Sequence, residues 1–519
     1  MQRSRREFLA DVGKGMLIAG VGYQLAADMG LGTVWAGDVS ERLTFGKLEP
    51  LVGLMQETPI GKLQSTLVEQ IRGEPCEASL KRLVAAAALA NARTFGGEDY
   101  VGFHTMMALA PAYHMIRLLP DAQKPLPVLK VLYRNTNRIQ EYGGPKKEVL
   151  HPVAAGKVSE SKSAGEALKD AVHNQDMATA EGIFAATAEK SIDDAFNALL
   201  IAVQESQEVH RTVLPYRAWA LLPIVGREHA HTLLRQSVHY CVKAEKGSAY
   251  FGGGSKVLAK LFDQHKIPGR KPGTRSADDA WVEQMSQTIF KSTPEQAAGA
   301  VAEALVEGMS PDAVGEAICL ATNQLVLRDE GRPQNQTSPG KPVGSCHGDS
   351  IGVHASDSAN AWRNMAKISN PRNTFACLIL AAHQASHDRI NRGGDFLKWE
   401  PYPRAEARAK IKTKECEALL KVAEDAIRNK DQALACAAVH AYGEQGFPEK
   451  CVLDMLLKYG ISEDGALHAE KYFETVSDEF QTMRPAFRWR QLVGLARVTA
   501  SEYGMPAPGQ EEARNLLKV

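Results

Sequence analysis

The chain has 519 residues, with 61 Lys and Arg against 61 Asp and Glu, so its formal charge is zero. That balance argues against a nucleic-acid partner, which usually selects a basic excess. Hydrophobic residues at 44% and charged ones at 24% exclude disordered and collagen-like classes and leave room for about three domains of ~150 residues.

The first 36 residues read as a targeting segment. Ser4-Arg5-Arg6-Glu7-Phe8-Leu9 is followed by an apolar, Gly-rich stretch from Met16 to Gly22 and then by Val34-Trp35-Ala36, a small-residue cleavage pattern. This resembles a bacterial twin-arginine export signal. The resemblance implies the twin-arginine export machinery as a partner and a periplasmic or secreted location. That route carries folded proteins, many loaded with a cofactor, so a cofactor is expected without being named. The stretch is too short to span a bilayer, and no later segment reaches the length required. No transmembrane segment is therefore expected after signal removal.

Past residue 37 the pattern is helical nearly throughout, and alternating strand-type runs are scarce. Leu80, Leu83, Val84, Ala87 and Asn91 mark one helical face, and Ile192, Phe196, Leu199, Leu200 and Val203 a second. Val314, Ala317, Ile318, Ala321 and Leu325 mark a third, and Cys451, Val452, Met455, Leu456 and Tyr459 a fourth. Ser191 and Ser310 stand as capping hydroxyls before acidic first turns. The expected fold class is all-α.

Each of these helices is followed by a loop and a histidine early in the next helix: His104, His210, His354 and His468, at intervals of 106, 144 and 114 residues. A Pro or Gly break comes 16 or 17 residues later in every case: Pro120, Gly226, Pro371 and Pro485. The chain thus reads as four divergent helical units, sought as internal self-similarity. The inner two units match best. His210 has Trp219 at +9 and His239 at +29, and His354 has Trp362 at +8 and His383 at +29. At +29 the first unit has Tyr133 and the fourth Arg497. Three polar, irregular stretches interrupt the helices: Gly143 to Gly165, Gln264 to Asp279 and Arg328 to Asp349. Such stretches are usually lids, binding loops or disorder. The second divides the mature chain into halves, 37–265 and 266–519.

The eight cysteines form no C-x-x-C pair, so zinc ribbons and covalent c-type haem attachment find no support. Cys346-His347 would be a nucleophile pair if exposed, though adjacent side chains usually diverge. The Gly-rich run Tyr250 to Lys256 reads as a turn, since no strand precedes it. His383-Gln384-Ala385-Ser386-His387 sets two imidazoles at i and i+4 on one helical face. Gln384 stands where a zinc metalloprotease needs its Glu base. Glu228-His229-Ala230-His231 has no second copy of the kind a di-iron bundle requires.

Antiparallel helices return to the same height after about 29 residues, since each arm rises about 1.5 Å per residue. His210, His239, His354 and His383 are therefore the first candidates for a shared metal centre, with His104 and His387 second and Asp357 as an outer carboxylate. The functional expectation is an exported all-helical protein with a histidine-lined pocket. A transition metal or haem would serve redox or hydrolytic chemistry on a small molecule. The alternative is a non-catalytic helical-repeat scaffold that binds a periplasmic protein. Catalytic residues are not identifiable from the sequence.

Overall fold

The computed structural model describes residues 42–72, 76–158, 161–247 and 253–519. The leader at 1–36 lies outside these residues, as do Tyr250 to Gly252 of the Gly-rich run. The described chain is all-α, with short 3-10 turns between helices and only isolated bridges in place of any strand.

Three helices recur in each unit. The leading helices are Cys76–Phe95, Ile192–Val203, Pro311–Arg328 and Glu449–Ser462. The central ones are Tyr100–Met115, Val209–Ala220, Ile351–Ile368 and His468–Thr482, and the closing ones are Pro125–Tyr142, Ala230–Ala244, Pro371–Arg392 and Trp489–Glu502. Both expected caps are present: Ser191 accepts from Asp194 N at 3.2 Å and Ser310 from Ala313 N at 3.3 Å. Each satisfies a donor that the first turn would leave orphaned.

The central helices form a closed ring in chain order, the first against the second, the second against the third, the third against the fourth and the fourth against the first. They run parallel. Thr475, seven residues past His468, donates to Asp357, three past His354 (2.7 Å), and Arg363, nine past His354, reaches Glu479, eleven past His468 (2.5 Å). Parallel neighbours require the chain to return outside the ring, as long crossovers do in other bundles. The closing helix of one unit and the leading helix of the next lie on that return path.

The interior of the ring is polar for much of its length. Below the histidines lie Asp357, Lys471, Arg217 and Thr475, then Asn360, Arg363 and Glu479, all buried. The apolar core fills the outer shell between central, leading and closing helices. The run Ala85 to Ala88 is wholly buried there, its small side chains allowing close helix approach.

Candidate functional site

The parallel ring brings the N-terminal turns of all four central helices to one level, and each carries its unit's histidine there. His104 and His210 face each other with Nε2 atoms 3.3 Å apart, and His354 and His468 do so at 3.1 Å. The two pairs close on each other: ring centroids are 5.2 Å apart for His104 and His468 and 5.9 Å for His210 and His354. Four imidazoles, one from each unit, thus form a single cluster.

The outer nitrogens are held by other groups. His104 Nδ1 lies 2.6 Å from the Tyr100 carbonyl, and His210 Nδ1 lies 2.6 Å from Glu208 Oε1. A carbonyl and a carboxylate can only accept, so both Nδ1 atoms carry the proton and both Nε2 atoms offer a lone pair. Glu208 also caps its helix through Arg211 N (2.9 Å) and accepts the Tyr240 hydroxyl at 2.8 Å. Burial would raise this carboxyl, but the bonds from His210, Arg211 and Tyr240 outweigh it and hold it down at about 2. His468 Nδ1 is buried with no hydrogen-bond partner.

Burial, with the charge of Lys471 beneath, pushes His104 and His468 well below the ordinary imidazole value. Burial and the neighbouring His210 bring His354 down to about 3. These rings are neutral at pH 7, the form that binds metals. Lys471 itself is lowered to about 8, by burial first. The backbone entering His468 is strained: Ala466 and Leu467 take φ of 47° and 66°, a left-handed region unfavourable to both residue types.

A cleft of about 240 Å³ leads to the cluster, lined by Asp329, Arg332, Asp349, Ser350, Arg392 and His354. His354 is enclosed by protein yet keeps part of its surface open to this cleft, whereas His104, His210 and His468 are buried. The irregular stretch from Arg328 to Asp349 forms one wall. Gly348 is required there: a Cβ would stand 2.2 Å from His468 Cβ, and its N–H donates to Glu502 at 2.7 Å. Tyr100 covers the cluster from the other side, 61% exposed, its ring 4.5 Å from that of His104. A larger groove of about 820 Å³, between Leu118 and Leu457, carries surface charges but no histidine.

The expected site needs correction in membership. His210, His354 and His104 meet, but His239, His383 and His387 do not join them, and His468 takes the fourth place. The return to equal height was sound, but the closing helices lie outside the central ring, so the +29 residue meets the outer shell. His239 bridges Glu98 (3.0 Å) and Glu181 (2.6 Å) with its two nitrogens. His383 and His387 stack on each other, centroids 6.3 Å apart. Gln384 accepts the Trp362 indole N–H at 2.8 Å, a structural duty that accounts for its place in that motif. Asp357 serves the polar layer below the imidazoles, bonded to Thr475.

Other motifs resolve into core. His231 stacks on Phe184 and His229 meets Phe45 edge-on. Cys346 is 1% exposed and burial raises its thiol, which removes the nucleophile reading. The signal for His468 was present in the common offset from histidine to break, but weighting the +29 pairs hid it. Glu208, Tyr240, Tyr100 and Lys471 had no sequence signal beyond nearness to a unit histidine.

Among the described residues, no three His, Cys, Asp or Glu side chains stand in a ready-made ligand arrangement for a metal ion. The four rings form two close pairs rather than one convergent set. Nor is any helix among them long and apolar enough to cross a membrane. The chain matches no protein-family model, no curated protein and no solved structure.

Proposed function

We propose that this is an exported transition-metal protein in which His104, His210, His354 and His468 close on one ion, serving redox or hydrolytic chemistry on a small molecule admitted by the cleft. One observation carries the reading. His104 and His210 present facing lone pairs at 3.3 Å, each with its other nitrogen already committed as a donor. Such a contact is repulsive unless a cation sits between. A proton shared there would put an imidazolium among three further imidazoles and Lys471. An ion bonded at the 2.0–2.1 Å usual for zinc sets tetrahedral nitrogens about 3.3 Å apart. The carbonyl and carboxylate behind the two rings are the partners that metal-bound histidines usually have. All-imidazole ligation suits Zn, Cu, Fe or Ni. Facing nitrogens this close leave no slot for a porphyrin, so a bare ion is favoured over haem. Binding requires small ring rotations that merge the two pairs.

Elemental analysis of protein purified from its native host tests this. About one transition-metal ion per chain is expected, lost in His104→Ala and His468→Ala and retained in His383→Ala. Metal-free protein, not restored by Zn, Cu, Fe or Ni, overturns the metal reading and favours the helical scaffold. Export rests on Arg5-Arg6 and Val34-Trp35-Ala36. The mature chain is expected to begin near Gly37, and lysine at both arginines to retain it in the cytoplasm. An intact precursor outside the cell overturns export.

A further inference from the structure

The closing helix of the second unit contributes no histidine to the cluster, yet two adjacent residues on it reach the supports of both His104 and His210. His239 holds Glu98 at 3.0 Å. Glu98 belongs to the tight turn Gly96 to Asp99, where Gly97 lies so close to the same helix that a Cβ would stand 2.3 Å from the Gln236 carbonyl. Asp99 ends this turn as the cap of the first central helix, accepting from Gly102 N at 2.7 Å, and holds Arg138. The next residue is Tyr100, whose carbonyl accepts from His104 Nδ1. On the other side, Tyr240 donates to Glu208 Oε2, and Glu208 Oε1 accepts from His210 Nδ1. One dipeptide therefore stands behind both imidazoles of the 3.3 Å pair by two separate routes.

The geometry points to His239 and Tyr240 as positioning residues that fix the ring orientation and Nδ1–H tautomer of His104 and His210. His239 acts through the 96–100 turn and Tyr240 through Glu208. Both ring nitrogens of His239 face carboxylates, so it works as a two-sided donor between the turn and Glu181 on the helix Met177–Ala188. Neither residue touches the space between the four rings. The inference deepens the metal reading and depends on it for function, but its structural content can be measured without metal.

The test uses the mature chain with ¹⁵N-labelled histidine and the variants Tyr240→Phe and His239→Gln, the first removing one hydroxyl and little else. In metal-free protein, nitrogen shifts should report Nδ1–H tautomers for His104 and His210. Tyr240→Phe should mix the tautomers of His210, and His239→Gln those of His104. Titration with Co(II) alone should show affinity reduced about 10–100-fold in each variant, the usual cost of losing an outer partner of a metal-bound histidine. His383→Ala should change neither measurement. Unchanged tautomers in Tyr240→Phe overturn the positioning role, whatever His239→Gln does to folding. Shifted tautomers in a chain that binds no Co(II) uphold positioning and count against the metal centre instead.

Discussion

Ala466 is exposed and left-handed at φ 47°, immediately before buried Leu467 and His468. An L-residue there costs about 1–2 kcal/mol, which glycine does not incur. Ala466→Gly should therefore raise stability by roughly 1 kcal/mol in urea titration and leave His468 in place. Gly348→Ala should act oppositely, by about 1–3 kcal/mol, because its methyl has nowhere to go beside His468. His239 supplies a pH signature. Burial opposes its charge, but Glu181 and Glu98 outweigh burial and raise its pKa, while both carboxyls are lowered against their own burial by bonds to His239. Arg235 and Lys243 are the cations facing this group. A raised imidazole stabilises fully below its unfolded pKa and loses that contribution as pH rises through the folded value. Lowered carboxyls stabilise above their unfolded pKa and lose it as pH falls through theirs. The bridge should thus be strongest between about pH 4.3 and 6.5. The stability gap between wild type and His239→Gln, followed by urea titration from pH 5 to 9, should shrink as pH rises.

Among the helices, the ring of four depends on polar crosslinks as well as on apolar burial. Arg363 and Glu479 join the third and fourth central helices at 2.5 Å with side chains 5% and 2% exposed. Removing one partner leaves a buried charge uncompensated. Glu479→Gln should cost about 3–5 kcal/mol, whereas joint replacement by Arg363→Met and Glu479→Leu should be close to neutral or stabilising. Unfolding curves of the two variants check this. A loss as large in the double variant as in the single one would mean that packing, not charge, governs the contact. The outer helices behave differently. Their leading members carry runs such as Ala85 to Ala88, buried and without polar partners to satisfy, so their stability follows apolar area.

For the whole molecule, one layer of histidines gathers a residue from every unit. The loss of any one should be felt by all. His104→Ala and His468→Ala, 364 positions apart in the sequence, should abolish metal content equally, which elemental analysis of the two variants compares directly. A scaffold role predicts instead that each substitution destabilises its own unit alone.

Much of the architecture was legible in local pattern. Apolar periodicity, capping serines and regular breaks identify helices because these signals act within one or two turns. The shared register of His104, His210, His354 and His468 likewise lay open in the chain. Which histidines meet was not legible. Residues 29 apart return to the same height on antiparallel helices, but height leaves open which helix lies inside the ring. That choice belongs to the packing of twelve helices at once. It turns His239 and His383 toward the outer shell and His468 toward the axis. The pairing of Glu208 with Tyr240, and the cleft over His354, follow from the same decision. They join segments whose separation carries no sequence signal, and only the parallel closure of four central helices brings them together.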